Sequence, residues 1–361
     1  MLYRLLFELA DVWSPFNVFR YITFRTALAA VTALLLTLAF APSLIRKLED
    51  RQVGQRIRSE GPPDHNVKAG TPTIGGLLIV GAVVISTLLW MDPFNHLVWV
   101  ALGSTVAFAG LGLADDYLHV VHPRRRGLSV RAKFLGEIGI AAAVGGTLMW
   151  MSAQGSFTTQ LQFPFFKELS PFLGAWYLPF AILVLVAASN AVNLTDGLDG
   201  LATGSMLVAS GTYTIFAYLA GNIIIAEYLN VLYVPDAGEV TVFVGAIAGA
   251  CLGFLWFNCH PAEVFMGDTG SLALGGAVGT VALLIKQELN LFFVGGLFVV
   301  ECLSVIIQVG SFRLTGRRPF RMAPLHHHFE MSGWPESKVV VRFWILAIMF
   351  ALLSLATLKL R

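Results

Sequence analysis

The chain has 361 residues, of which 56% are hydrophobic and 13% charged, with a formal net charge of +2. Soluble proteins are roughly a quarter charged, so this composition excludes an ordinary soluble domain and predicts an all-α polytopic membrane protein. The near-neutral balance, with no run of like charge longer than the arginines at 124–126, gives no footing for nucleic-acid binding. Three scattered cysteines without a CxxC give none for a disulfide framework or a zinc site.

The N-terminus lacks a basic segment followed by an apolar core and a small-residue cleavage site, so no signal peptide is expected. Residues 3–13 are mixed and short and suit the membrane interface. Apolar runs long enough to span a bilayer follow at roughly 23–45, 73–91, 97–114, 132–151, 174–190, 198–221, 240–257, 270–285, 291–312 and 340–358. Ten helices in one integral membrane domain, 1–361, are therefore predicted. Glu301 and Gln308 lie inside the ninth run, which is expected to be broken or amphipathic. Seventeen of the 24 Lys and Arg residues fall in the segments after the first, third and ninth runs. By the positive-inside rule that side is cytoplasmic and both termini face the periplasm. On the opposite side residues 154–171 alternate weakly, as a small hairpin would.

The polar motifs share the cytoplasmic side. The first is the turn-rich stretch 61–73, with Lys68 and Thr73; its basic character suits a polyanion or plain positive-inside anchoring equally. Asp115 and Asp116 close the third run. Adjacent carboxylates repel, and a hard divalent cation such as Mg2+ would neutralise them; a helix-end anchor is the plainer alternative. Lys133 follows in the same loop. The stretch Asn190 to Gly200, NAVNLTDGLDG, sets amides (Asn190, Asn193) and acids (Asp196, Asp199) between two charge-free runs. Such groups at a membrane boundary are usually functional. If the stretch turned into the next helix, the spacing of three would place both acids on one face; a polar hinge capping two helices would read similarly. Asn258 ends the seventh run. Phe265 to Ser271, FMGDTGS, sets Asp268 between glycines at a helix start, fitting a metal–anion complex or a simple N-cap. His326, His327 and His328 follow three nearby arginines and suit phosphate or sugar contact better than one shared metal ion.

Two motifs mislead. Asn193-Leu194-Thr195 matches a glycosylation sequon on the wrong side, and the glycines at 275, 276 and 279 lie within a span, where close helix packing explains them. Acids, amides and bases gathered at one leaflet suit phosphoryl transfer between anionic substrates. An ion-coupled transporter is the competing class, but its site would sit near the midplane on broken helices, with internal repeats that this sequence lacks.

At these residues the chain resembles the bacterial phospho-N-acetylmuramoyl-pentapeptide transferases, of the polyprenyl-phosphate N-acetylhexosamine-1-phosphate transferase superfamily. The resemblance spans nearly the whole length: GTPTIGG at 70–76, DDY at 115–117, NAVNLTDGLDGLA at 190–202, FN at 257–258, FMGDTGSLALGG at 265–276 and MAPLHHHFE at 322–330. The last separates this branch from relatives using UDP-N-acetylglucosamine, the sister-branch alternative. The resemblance implies a reaction of UDP-N-acetylmuramoyl-pentapeptide with undecaprenyl phosphate at the bacterial inner membrane, giving lipid I and UMP in peptidoglycan synthesis. It also implies a homodimer, with Asp268 as the Mg2+ carboxylate and Asp115 and Asp116 at the lipid phosphate. Asn190, Asn193, Asp196 and Asp199 would shape the nucleotide-sugar site, and Asn258 and Phe265 the uracil pocket. Lys68, Thr73, Lys133, Gln308 and the three histidines complete the substrate-contacting set. Many relatives carry Lys where this chain has His119. Direct attack by the lipid phosphate is expected over a phospho-enzyme, because the acceptor is largely dianionic at neutral pH.

Overall fold

The structure, a computed structural model, describes residues 2–50, 70–121, 127–166 and 169–359. Its helices are α1 (Leu2–Glu8), α2 (Ile22–Asp50), α3 (Gly76–Trp90), α4 (His96–Val121), α5 (Val130–Ala153), α6 (Tyr177–Thr195) and α7 (Leu201–Ala220). They continue with α8 (Ile223–Leu229), α9 (Ala237–Asn258), α10 (Gly267–Leu284), α11 (Leu291–Val294), α12 (Gly296–Thr315), α13 (Leu325–Glu330) and α14 (Glu336–Ala356). The protein is an all-α, multi-pass membrane protein. Long apolar runs can only be helical in lipid, where every backbone N–H and C=O must find its partner within the segment.

Each predicted run overlaps helix in the structure, the ninth overlapping two, α11 and α12. Among the described residues, seven helices are long and apolar enough to cross a membrane, or eight if α7 and α8, which meet at 101°, count as one span. Helix α3, with 15 residues, is shorter, and α10 begins with the polar GDTGS. The ninth run does break, but at Gly295 between α11 and α12; Glu301 and Gln308 lie in unbroken helix. The 154–171 segment forms a minimal hairpin: an antiparallel bridge joins Gln160 and Phe172, and Leu161 N–H donates to Pro171 O at 3.0 Å.

Lipid offers helices no hydrophobic reason to associate, so close packing of small residues does the work. The seam between α2 and α9 illustrates it. Gly245, Gly249 and Gly253 repeat every four residues along α9. A Cβ at Gly249 would lie 2.0 Å from Ala30 O, and one at Gly253 would lie 2.9 Å from Leu34 O. Gly275 and Gly276 serve α10 likewise, against α6 at Ala188 and α4 at Phe108. Both α9 and α10 are buried along most of their length and form the centre of the bundle.

The two ends of the bundle are tied differently. At one end Arg25 (2% exposed) makes a two-pronged pair with Glu239, at 2.8 and 2.5 Å, and donates to Trp90 O at 3.2 Å. Asp92 N–H donates to the same carboxylate. The starts of α2 and α9 and the end of α3 are thus joined. The turn after α10 is also buried rather than solvated: Lys286 Nζ donates to Glu288 at 2.6 Å and to Tyr177 Oη at 3.0 Å, and Tyr177 also donates to Glu288 at 2.8 Å. The opposite end gathers the last turns of α4 and α6 and the first turns of α5 and α10, and there the polar motifs meet.

Candidate active site

Asp115 and Asp116 are helical neighbours on α4, and their carboxylates part company. Asp116 turns to the first turn of α10. It accepts Asp268 N–H at 3.1 Å, Thr269 N–H at 2.9 Å and Thr269 Oγ–H at 2.6 Å. The free N–H groups and positive end of α10 are therefore satisfied by an acid from another helix. Asp115 turns to α5: its Oδ1 accepts Leu128 N–H at 2.5 Å, and its Oδ2 lies 3.4 Å from Lys133 Nζ. The repulsion expected of adjacent acids is relieved by this division, one acid taking a helix terminus and the other a lysine.

Asp268 does not cap its own helix. Gly267, at φ +72°, lets the chain turn into α10 beside Asp116, and the Asp268 carboxylate is left facing other helices. Lys133 Nζ bonds to its Oδ2, and Asn193 Nδ2 donates to its Oδ1 at 2.6 Å and to Ser271 Oγ at 2.8 Å. With Asp115, four oxygen-bearing side chains and one ammonium group from α4, α5, α6 and α10 converge here.

Asn190 lies one turn deeper on α6. Its amide donates to Glu137 on α5 at 2.5 Å and to Val186 O at 2.9 Å. Glu137 is 1% exposed and went unpredicted. Its signal was in the sequence: it is an ionisable residue inside a span, one helical turn from Lys133, and such residues are functional candidates by default.

Asp196 and Asp199 lie in the turn between α6 and α7, so no helical face unites them. Asp196 is half-buried. Desolvation, then the charges of Asp268, Asp116 and Asp199, push its carboxyl up to about 8. Asp199 is 3% exposed; it accepts Ala262 N–H and meets His260 Nδ1, each at 3.1 Å, while its N–H donates to Glu336 at 2.8 Å. The Asp199 carboxylate thus ties this turn to the 259–264 loop, and its backbone ties it to α14.

Other candidates are committed to the protein. Asn258 accepts from Thr203 at 2.8 Å and donates to Val264 O at 2.9 Å. Phe265 pairs through its backbone with Pro72 and Gly75, which lays the segment holding Thr73 alongside FMGD. Gln308 exchanges two 3.0 Å bonds with the Phe320 backbone. His326 is fully buried beside Glu301, His327 pairs with Glu330 at 2.7 Å, and His328 accepts Arg321 N–H at 3.1 Å. Lys68 lies outside the described residues.

The arrangement suits binding and charge neutralisation at an anion. The donor set on Asp268 and Asp115 is hard oxygen, which fits Mg2+ in chemistry. Lys133 already places a positive group between the two carboxylates.

The profile of Glycosyl transferase family 4 matches residues 98–286. The phospho-N-acetylmuramoyl-pentapeptide-transferase of Desulfatibacillum aliphaticivorans is 57% identical over the full length of both chains. Those of Geobacter sp. (strain M21) and Koribacter versatilis (strain Ellin345) are 53% and 51% identical, also over the full length of both chains.

Proposed function

From the premise that the chain belongs to the phospho-N-acetylmuramoyl-pentapeptide-transferase family, we propose that it transfers phospho-N-acetylmuramoyl-pentapeptide from its UDP-linked precursor to undecaprenyl phosphate. The products are lipid I and UMP, and the setting is the bacterial inner membrane, with the site facing the cytoplasm and the enzyme working as a homodimer. The observation that carries this reading is the convergence of Lys133, Asn193 and Asp115 around Asp268. The acids sit at helix ends rather than at the midplane, which disfavours a transporter.

Asp268 and Asp115 would hold Mg2+, Asp116 being occupied by α10. The ion would supply charge neutralisation on the diphosphate as UMP leaves. The chain's own residues provide position and field. Lys133 offsets the negative charge of both carboxylates and is placed to follow a phosphate oxygen. Asn193 fixes the orientation of Asp268, and Glu137 that of Asn190. In the reaction an oxygen of the lipid phosphate forms a bond to the β-phosphorus of the donor. The bond from that phosphorus to the UMP oxygen breaks, and UMP leaves with the electron pair. The acceptor phosphate, with a second pKa near 6, needs little base assistance, so Asp115 orients rather than deprotonates. With Asp268 engaged by Lys133 and Asn193, a single displacement is favoured over an aspartyl-phosphate.

The test is UMP release by purified protein with Mg2+, undecaprenyl phosphate and either UDP-N-acetylmuramoyl-pentapeptide or UDP-N-acetylglucosamine. Release with the muramoyl donor alone, lost in Asp268→Ala and on chelation, is expected. Release with UDP-N-acetylglucosamine would move the chain to the sister branch. A phosphorylated Asp trapped without acceptor would overturn the single displacement.

A further inference from the structure

The first histidine of the triplet does not behave as a surface ligand. His326 is 0% exposed, and among the described residues neither ring nitrogen has a hydrogen-bond partner. Its ring is nevertheless gripped on two edges. On one side Nδ1 lies 3.3 Å from Glu301 Oε2, and Glu301 Oε1 accepts the His326 backbone N–H at 3.2 Å. On the other, Nε2 abuts the backbone of Gly197: a Cβ built there would fall 2.3 Å from Nε2 and 3.1 Å from Cε1. Gly197 is not among the residues with positive φ, so what keeps position 197 without a side chain is the imidazole, not the turn.

Glu301 itself asks for an explanation. It is fully buried on α12, and among the described residues no Lys or Arg pairs with it. An uncompensated carboxylate at such depth is costly. Among the described residues, the polar groups its carboxylate meets are both on His326, the ring and the backbone N–H.

We propose that Glu301 is a positioning residue for the donor-binding turn. It fixes His326 by the Nδ1 edge, so that the Nε2 edge bears on Gly197 and sets the turn carrying Asp196 and Asp199. On this view His326 is a strut beneath the nucleotide-sugar site, while His327 and His328, on the same short helix α13, are held by Glu330 and the Arg321 backbone. The inference rests on the reading that this turn meets the UDP-linked donor.

The strut predicts a split in kinetic constants. In purified, folded protein, Glu301→Leu and Gly197→Ala each raise the donor KM about tenfold or more. The acceptor KM and the rate at saturating donor stay within about threefold. Glu301→Gln recovers most of the loss, because its carbonyl can still accept the His326 backbone N–H while its amide N–H faces a neutral Nδ1. The Glu301→Leu/Gly197→Ala double variant is no worse than the more damaging single, since the two residues act in series. Should Glu301→Leu fail to fold, Gly197→Ala and Glu301→Gln, which bury no new cavity, carry the test. Donor and acceptor KM rising together, or multiplicative losses in the double variant, would overturn the proposal. Asp196→Ala is the control. A raised donor KM there with none in Gly197→Ala sinks the strut alone; an unchanged donor KM in Asp196→Ala sinks the donor-site reading and the strut with it.

Discussion

Lys133 Nζ bonds to the Asp268 carboxylate across 135 residues of sequence, and the same ammonium group lies 3.4 Å from Asp115. One cation from α5 therefore balances two acids from α4 and α10. Removing it leaves like charges facing one another where a diphosphate must bind. Lys133→Ala is expected to lower the rate of UMP release about 100-fold or more, the usual cost of deleting one preorganised electrostatic contact. Lys133→Arg keeps the charge on a planar fork and should fall between the two. A rate unchanged in Lys133→Ala would detach this lysine from catalysis.

The neighbouring acids should separate by stability. Asp116 closes the first turn of α10 with three hydrogen bonds, so Asp116→Ala is expected to destabilise the fold by about 0.5–2 kcal/mol, as loss of a helix cap does, besides losing activity. Asp115→Ala should lose activity with its thermal midpoint nearly unmoved. Thermal unfolding in detergent distinguishes them, and equal midpoints would contradict the division of labour.

Asp196 sets a pH dependence. A carboxyl raised to about 8 is largely neutral below that pH and anionic above it. Above about pH 8 the turn gains a negative charge beside the donor's diphosphate. The donor KM should therefore rise on the alkaline side, and Asp196→Asn should flatten that limb while changing little at pH 7. An alkaline limb surviving in Asp196→Asn would assign it to another group.

At the far end Arg25 provides a test of the fold free of the chemistry. Breaking its buried pair with Glu239 strands a carboxylate, at a cost of about 3–5 kcal/mol. Arg25→Ala should unfold well below the parent protein, while the donor KM of the surviving folded fraction stays unchanged. A donor KM that moved with Arg25→Ala would mean the two ends are coupled.

The sequence made the helices legible because lipid leaves a chain little choice: apolar runs from α2 to α14 announce themselves by length alone. The gathering of Asp115, Asn193 and Asp268 was also readable, since topology put their span ends on one side. The partition of Asp115 from Asp116 was not, because it depends on which way two adjacent helical residues point. Glu137 escaped because, unlike Lys133, it was absorbed into an apolar run. The hinge at Gly295 was sought at Glu301, since a charge in a span looks like a fault; here the charge has a histidine to hold and the helix passes through intact. The commitments of Asn258 and Gln308 to backbone groups are beyond any pattern in one sequence.

Asp116 has a consequence for inheritance. A helix that closes its own first turn can be exchanged between homologues as a unit. Helix α10 cannot, because the group that completes it belongs to α4. In chimaeras made by exchanging segments of relatives, α10 should settle only where the α4 beside it carries an acid at position 116, although five helices separate them along the chain.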